Sequence, residues 1–273
     1  MGTALDSLGI IAGSFSLPLE IARLAREGGV KRLVVVGFEG ETDPALEALV
    51  DEMTYLRVGQ LSKMIRYFKQ QGISQVVMGG QVAPKNLFSV RPDLRAAALL
   101  FRLKEKNAHT IFGGIADELQ KDGIELIEAT PWLQPLMPVA GYLIGSKLKA
   151  AQEEDLAFGY RIAKEISRLE IGQSVVVKEG TVLAAEGFEG TDRCLRRGGE
   201  LAGKKGGAVA VKVAKEDHDM RFDIPCIGAA TVESCIESGV AVLGLEARRV
   251  IVLEREKIES LVSKHRFSIV TVA

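Results

Sequence analysis

The fold of the amino-terminal half is decided by Leu8-Gly-Ile-Ile-Ala-Gly13-Ser-Phe-Ser-Leu-Pro18. Its first five residues form an apolar run typical of a buried strand, and the turn residues that follow lead into a helical pattern over 17–27. Further strand patterns at 32–36 and 75–78, and helical patterns at 61–71, 94–104 and 110–121, extend this alternation. The sequence therefore predicts an α/β fold with a parallel sheet covered by helices.

A run of helix breakers interrupts this pattern between residues 131 and 145. The breakers are Pro131, Pro135, Pro138, Gly141 and Gly145, and they predict a linker 131–145 between domains 1–130 and 146–273. The second domain is predicted to be mixed α/β, with a helix at 152–169, a hairpin of strands 174–177 and 181–185, and later strands at 208–213, 241–245, 250–253 and 268–272. A length of 273 residues also favours two domains over one.

The composition is that of a folded protein without a polyanion-binding surplus. A net charge of -1 gives no general attraction for nucleic acid, which argues weakly against a nucleic-acid-binding protein. Three cysteines without CxxC spacing favour a reducing compartment over a disulfide framework or a zinc site. No apolar run approaches the length of a membrane span or a secretory signal, so a cytoplasmic location is expected.

Two loops follow the first and third predicted strands, at the strand ends where open α/β sheets bind ligands. They supply six candidate binding residues: Gly13, Ser14, Leu17, Pro18, Gly80 and Gln81. The first loop opens a helix whose N–H groups can hold a phosphate, although a plain turn capped by Ser16 explains it equally well. The absence of GxGxxG and of a P-loop disfavours a nicotinamide-dependent oxidoreductase.

Four carboxylates lie among glycines at 178–192: Glu179, Glu186, Glu189 and Asp192. Because such groups repel one another, their clustering would require a divalent cation or basic side chains, and Mg²⁺ prefers hard oxygen ligands beside substrate phosphates. Two structural interpretations stay open. Glu179-Gly180 is also a typical hairpin turn, and Thr191-Asp192 is also a typical helix cap.

A second charged segment runs from Lys212 to Pro225. It places Lys212, Lys215, Arg221 and Asp223 just after a strand, a composition suited to holding a diphosphate while an acid binds a metal or a water. A solvated loop is the structural alternative.

Several motifs together resemble one known family. They are Ile10-Ile-Ala-Gly13 with Leu17-Pro18, Gly172-Gln173, Val177-Lys-Glu-Gly180, Glu189-Gly-Thr-Asp192, and Phe222-Asp-Ile-Pro-Cys-Ile-Gly228. In this order, over nearly the whole chain, they resemble the LpxI-type UDP-2,3-diacylglucosamine pyrophosphatases of lipid A biosynthesis. The resemblance implies an N-terminal Rossmann-like domain and a C-terminal domain of its own type.

The resemblance also implies a reaction. A cytoplasmic Gram-negative enzyme would hydrolyse UDP-2,3-diacylglucosamine with a divalent metal, Mg²⁺ or Mn²⁺, by water attack on the α-phosphorus, giving UMP and 2,3-diacylglucosamine 1-phosphate (lipid X). Its lipid-linked nucleotide-sugar substrate allows peripheral contact with the cytoplasmic face of the inner membrane. Either a monomer or a homodimer is compatible with the sequence. The alternative function is a non-catalytic nucleotide-sugar-binding protein.

The site hypothesis assigns roles residue by residue. The aspartate of the family's D-[IL]-P motif, which is essential, matches Asp223; the proposed catalytic set is Asp223, Asp192 and Glu189, with Asp223 and Asp192 as metal ligands. The proposed substrate-binding set adds Lys178, Glu179, Thr191, Lys212, Lys215 and Arg221 to the loop residues. Gln81 departs from the asparagine common in relatives. The helix at 94–101 and the run 132–137 are candidate walls of an acyl-chain channel.

Overall fold

The computed structural model describes residues 5–82, 91–104, 108–214, 219–222 and 224–273, with the side chains of 108 and 109 left aside. The chain divides into two compact units. Unit 1 is Met1–Leu133 with Asp219–Asp223, and unit 2 is Gln134–His218 with Ile224–Ala273. Of the predicted site residues, Lys215 and Asp223 lie outside the described residues.

Unit 1 contains a parallel five-stranded sheet in the order β3-β2-β1-β4-β5. The strands are β1 (Ser7–Ala12), β2 (Arg32–Phe38), β3 (Glu52–Leu56), β4 (Gln75–Gly79) and β5 (Glu125–Leu126). This is the strand order of a Rossmann-like half sheet, and its switch point lies between β1 and β4. The predicted α/β class with a parallel sheet is confirmed.

The strand β3 lacks the sequence pattern that predicts β1, β2 and β4. This strand pairs with β2 at the edge of the sheet, and all five of its residues are half-buried. Because an edge strand is covered incompletely, Glu52-Met-Thr-Tyr-Leu56 needs no continuous apolar run, and that run was the only strand signal used for β1, β2 and β4. The loop at Gly79-Gly-Gln-Val82 therefore follows the fourth strand rather than the third.

The helices of unit 1 cover this sheet. They are α1 (Leu17–Glu27), α2 (Leu61–Gln70), α3 (Leu94–Arg102), α4 (Ala108–Lys121) and the single turn α5 (Thr130–Leu133). A 3₁₀ helix, Pro44–Leu49, precedes β3. In α2 the buried residues Leu61, Met64, Ile65 and Phe68 recur at helical spacing, so one face of the helix packs on the core.

Unit 2 contains a mixed six-stranded sheet in the order β6-β13-β11-β9-β7-β8. Its strands are β6 (Leu143–Ile144), β7 (Ser174–Lys178), β8 (Thr181–Ala185), β9 (Ala208–Lys212), β11 (Val240–Glu246) and β13 (Ser268–Val272). The predicted hairpin is confirmed as β7 and β8. The predicted strand at 250–253 is shorter and forms a separate parallel pair, β10 (Cys226–Ile227) with β12 (Ile251–Val252).

Four helices complete the described part of unit 2: α6 (Ala150–Arg168), α7 (Thr191–Leu201), α8 (Ala229–Ser238) and α9 (Arg255–Lys264). Gly159 lets α6 lie close to the sheet, since a Cβ there would stand 2.9 Å from a methyl of Val211. Across all the described residues, none of the helices combines the length and apolarity needed to cross a membrane.

An acidic residue on α4 anchors α3. The buried Glu118 carboxylate accepts hydrogen bonds from Arg95 Nε (2.6 Å), Arg102 Nη2 (2.7 Å) and Lys121 Nζ (2.5 Å). Lys121, followed by Arg95, lowers the pKa of Glu118 to about 2. Because α3 is otherwise held by few buried side chains, this carboxylate fixes its position.

Acid should therefore weaken the fold through Glu118. A carboxyl whose pKa is lowered on folding stabilises the protein above its unfolded pKa, and this contribution, on the order of 2 kcal/mol, is lost as the pH falls from about 4.5 to about 2. We expect Glu118→Gln to reduce the free energy of unfolding at neutral pH and to flatten its decline in acid, as measured by urea titration. Glu165→Gln, which removes only the exposed Arg168 pair, should change little. Equal pH profiles for wild type and Glu118→Gln would contradict the assignment.

Candidate active site

The loops after β1 and β4 meet at the carboxyl edge of the unit 1 sheet. Gly13 N donates to Gly79 O (2.8 Å), while Ser14 donates to Gln81 O through both its backbone N (2.8 Å) and its Oγ (2.6 Å). A Cβ on Gly13 would stand 2.6 Å from Gln81 O, and Gly80 has a φ of +85°, so the contact depends on glycine at both positions. Both loops lie at carboxyl ends of strands, as predicted, and the structure brings Gly13, Ser14, Gly80 and Gln81 together.

Leu17 and Pro18 pack beneath the loop that follows β1, in the first turn of α1. Both are buried, and Pro18 packs against the backbone of Gly80. Ser16 is the N-cap residue, but its side chain makes no cap hydrogen bond, so capping by Ser16 does not explain the loop. Phe15, in contrast, adopts a φ of +67° and is 69% exposed, an unfavourable conformation for a bulky residue at the carboxyl edge of the sheet.

A cavity of about 390 Å³ opens beside these glycines, a volume within the usual range of small-ligand pockets of roughly 300–1,000 Å³. Its lining is mainly apolar and includes Ile11, Met64, Met78, Leu99, Phe112 and Phe222. Gly13 and Gly80 also line it. α3, which was predicted to line an acyl-chain channel, supplies Ala96, Leu99 and Leu100 to this cavity, and the binding of acyl chains there stays a prediction. The run 132–137 lines no part of this cavity; Trp132 packs against Gly28 instead.

The described residues 219–222 belong to unit 1 although they follow β9 in the chain. Phe222 packs on Phe112 with ring centroids 5.7 Å apart and lines the cavity. Arg221 donates to both carboxylate oxygens of Asp219 (2.8 and 2.6 Å), and this bond raises the pKa of Arg221. The predicted phosphate-binding arginine is thus held in place by an acidic neighbour that the sequence analysis left without a role.

Unit 2 gathers a polar cluster at the carboxyl end of β9. Lys212 Nζ donates to Thr191 Oγ1 (3.1 Å) and to the carbonyl of Cys226 (2.9 Å), and Thr191 Oγ1 donates to Glu186 Oε1 (3.0 Å). In the adjacent first turns of α7 and α8, Thr231 Oγ1 donates to Asp192 Oδ1 (3.1 Å). The cluster therefore brings together the predicted residues Lys212, Thr191 and Asp192 with Thr231, which no sequence pattern indicated.

Lys212 is the unusual member of this cluster. Lys212 is only 8% exposed. No carboxylate in the described part of the chain lies within salt-bridge distance of its ammonium group. A buried ammonium bonded to neutral oxygens retains a large part of its desolvation cost unless an anion approaches. The arrangement therefore favours binding of an anionic group such as a phosphate.

Glu189 is already neutralised by a cation. It accepts from Arg197 Nη2 (2.5 Å), which lowers the pKa of the Glu189 carboxyl, and its other oxygen accepts from Gly187 N (3.2 Å). The carboxylate thus closes its own turn and pairs with α7. This geometry suits a structural role better than the base role that the sequence suggested.

Lys178 and Glu179 lie at the opposite end of the hairpin from this cluster. Thr181 pairs with Lys178, while Ala185 pairs with Val175 near the cluster. At the turn, the Glu179 and Gly180 amides both donate to the buried Asp155 carboxylate (2.8 Å each), and Lys178 Nζ donates to Ala202 O (2.8 Å). Glu179 is therefore not among the carboxylates that the hairpin brings near the cluster, and for Glu179-Gly180 the hairpin-turn interpretation is the correct one.

The donor set fits a metal ion only in part. Across the described ranges, no three His, Cys, Asp or Glu side chains come together as a metal cage. Glu186 accepts from Thr191 and from Gln173 N, and Glu189 is paired with Arg197. Of the three carboxylates in 186–192, Asp192 is therefore the one most available to a cation. Because Mg²⁺ commonly uses one or two carboxylates with phosphates and waters, this set fits an ion shared with a substrate.

Two cysteines are unsuited to nucleophilic catalysis. Cys194 and Cys235 are buried, and burial raises the thiol pKa of both, that of Cys194 to about 12. Since the thiolate is the nucleophile, neither side chain is reactive at neutral pH.

Unit 1 thus combines a Rossmann-like parallel sheet with glycine-containing loops and an apolar cavity, and unit 2 combines a mixed sheet with a polar cluster that favours an anionic group. Residues 7–136 match the model of the LpxI N-terminal domain, and residues 139–270 match that of the LpxI C-terminal domain. The chain belongs to the LpxI family.

A curated relative is "UDP-2,3-diacylglucosamine pyrophosphatase LpxI" of Caulobacter vibrioides, 31% identical over 263 residues that cover 92% of each chain. Two of the solved structures that the chain matches are much less similar. A biotin carboxylase domain of a thermophilic 2-oxoglutarate carboxylase is 17% identical, covering 62% of this chain and 34% of that one, with a TM-score of 0.26. A UDP-N-acetylmuramate:L-alanyl-gamma-D-glutamyl-meso-diaminopimelate ligase from Neisseria meningitides is 12% identical. The match covers 98% of this chain and 78% of the ligase, with a TM-score of 0.28.

Proposed function

We propose that this chain hydrolyses the diphosphate of UDP-2,3-diacylglucosamine to UMP and 2,3-diacylglucosamine 1-phosphate, in the cytoplasmic part of lipid A biosynthesis. The observation that carries the proposal is the similarity to the Caulobacter pyrophosphatase across 92% of both chains. Two features of the described residues support it. The apolar cavity in unit 1 suits acyl chains, and the buried ammonium of Lys212 in unit 2 suits a phosphate.

The diphosphate carries two negative charges, and more charge develops on its oxygens during hydrolysis. Catalysis must therefore depend on positioning and electrostatics. In the proposed mechanism Lys212 binds and neutralises a phosphate, with Thr191 and the Cys226 carbonyl holding its ammonium in a fixed direction. Thr231 orients the carboxylate of Asp192, and Asp219 orients Arg221.

Asp223 and Asp192 are the residues that would hold Mg²⁺ or Mn²⁺. Such an ion would screen the diphosphate and lower the pKa of a bound water. Asp192 fits this role because one of its oxygens is bonded to Thr231 and the other is not committed to a salt bridge among the described residues. Asp223 enters on the resemblance alone.

A turnover assay tests the function and separates it from its rival. UDP-2,3-diacylglucosamine in detergent should yield UMP and 2,3-diacylglucosamine 1-phosphate with catalytic amounts of protein and Mg²⁺, and EDTA should stop the release. Tight binding of the substrate without product would instead indicate a non-catalytic nucleotide-sugar-binding protein. Release that is indifferent to EDTA would remove the metal from the proposal.

Filling the cavity should weaken binding of the acyl chains. Each CH₂ buried is worth ~0.8 kcal/mol, so loss of a few methylenes from the cavity has a large effect on affinity. We expect Ala96→Phe, a substitution on the cavity face of α3, to raise KM for the diacyl substrate roughly tenfold or more. It should also weaken displacement of an apolar fluorescent dye.

Ala98→Phe provides the matched control because Ala98 lies on the exposed face of the same helix. In detergent it should leave KM and dye displacement unchanged, and thermal melts of both variants should confirm folding. Equal KM values for the two variants, both folded, would count against acyl binding in this cavity.

A further inference from the structure

The helix α3 exposes an apolar stripe to solvent. Leu94 is 92% and Phe101 90% exposed, and the exposed Ala98 lies between them. Their spacing of i, i+4 and i+7 places all three on one face of the helix. Two large apolar side chains that are almost fully exposed on one helix face are unusual for a surface in contact only with water.

The opposite face of the same helix contributes to the cavity. Ala96 and Leu99 are buried there and line the cavity with Leu100. α3 is therefore apolar on both faces, with its inner face covered by unit 1. An apolar helix face is normally covered by other parts of a protein, whereas this outer face has no partner within the described part of the chain.

The charges around the stripe are basic. Arg91 and Lys104 are exposed at the two ends of α3. Asp93 keeps its negative charge at the start of α3, where it accepts from the backbone amides of Ala96 (2.9 Å) and Ser62 (2.7 Å). Glu118 is bound by three cations, Arg95, Arg102 and Lys121, so positive charges outnumber negative ones around the stripe. An apolar stripe flanked by cations complements the anionic headgroups and acyl chains of a membrane surface.

We propose that the α3 stripe, Leu94, Ala98 and Phe101 with Arg91 and Lys104, docks on an anionic phospholipid bilayer. The apolar side chains enter the headgroup boundary, and the two cations bind lipid phosphates. Docking there sets the cavity-lining helix directly against the bilayer, so that acyl chains pass from membrane to cavity without crossing water. This last step rests on the proposed function, whereas the docking does not.

Vesicle flotation with the full chain tests the docking without any substrate. Vesicles containing phosphatidylglycerol should carry the protein upward, and pure phosphatidylcholine vesicles should carry much less of it. We expect the double variant Leu94→Ser with Phe101→Ser to lower the bound fraction roughly tenfold. Arg91→Glu with Lys104→Glu should abolish the preference for phosphatidylglycerol, and added salt should reduce it.

Leu169→Ser with Leu201→Ser is the matched control, because both leucines are more than half exposed but lie in unit 2. It should float like wild type.

The stripe variant should retain turnover of detergent-dispersed substrate and lose turnover of vesicle-embedded substrate. Unchanged flotation of the stripe variant would overturn the proposal. So would a change from dimer to monomer in that variant by sedimentation, which would show that the stripe binds a second copy. Flotation without any turnover would refute only the proposed function.

Discussion

Asp223→Ala is expected to lower kcat by about three orders of magnitude or more while leaving substrate binding largely intact. An anionic side chain facing an anionic substrate contributes only when it engages a metal ion or orients water, so its removal affects the transition state more than the ground state. Steady-state UMP release together with a direct binding isotherm measures both quantities.

Asp219→Ala is the informative comparison, because Asp219 lies in the same segment and binds Arg221. Loss of this positioning contact should cost roughly tenfold in kcat/KM. If both variants lost kcat/KM to the same extent, Asp223 would have no special chemical role. A normal rate in Asp223→Ala would remove it from the catalytic set.

Lys212→Met should reduce kcat/KM by roughly 10²–10³-fold, because it removes a fixed positive charge from the proposed phosphate site. The variant should still fold. Methionine preserves much of the side-chain volume, and replacing a buried charge that has no carboxylate partner among the described residues by an apolar group is often neutral or stabilising. Kinetics and a thermal melt on the same preparation give the two values.

Lys178→Met provides the matched control for Lys212. Both lysines end strands of the same sheet and donate to a backbone carbonyl, but they do so at opposite ends of neighbouring strands. Lys178→Met should leave kcat/KM within about twofold of wild type. A larger loss of kcat/KM in Lys178→Met than in Lys212→Met would contradict this assignment, because it would place the phosphate site at the Lys178 end of the sheet.

The parts of the fold with strong local signals were predictable. The Val and Ile runs of β1, β2 and β4 need burial on both faces, and the glycines after β1 and β4 mark turns at one edge of the sheet. The edge strand β3 carries no such run and was missed. The choice between hairpin turn and ligand site at Glu179-Gly180 depended on Asp155, a residue of α6 distant in sequence.

The rest of the candidate site depends on tertiary contacts. The packing of Phe222 on Phe112 joins positions 110 residues apart, and no periodicity in either segment indicates it. The bond between Thr231 and Asp192 joins the starts of two helices, and each residue alone is an ordinary helix-terminal residue. Resemblance to a family pointed to the reaction, but only the folded chain shows which charged residues are engaged by neighbours.

The proposed hydrolysis by water attack on the α-phosphorus is tested most directly by turnover of UDP-2,3-diacylglucosamine in H₂¹⁸O with mass analysis of both products. Water attack on the α-phosphorus predicts one ¹⁸O in UMP and none in 2,3-diacylglucosamine 1-phosphate. Label in the lipid product, or no UMP at all from folded protein supplied with Mg²⁺, would contradict it.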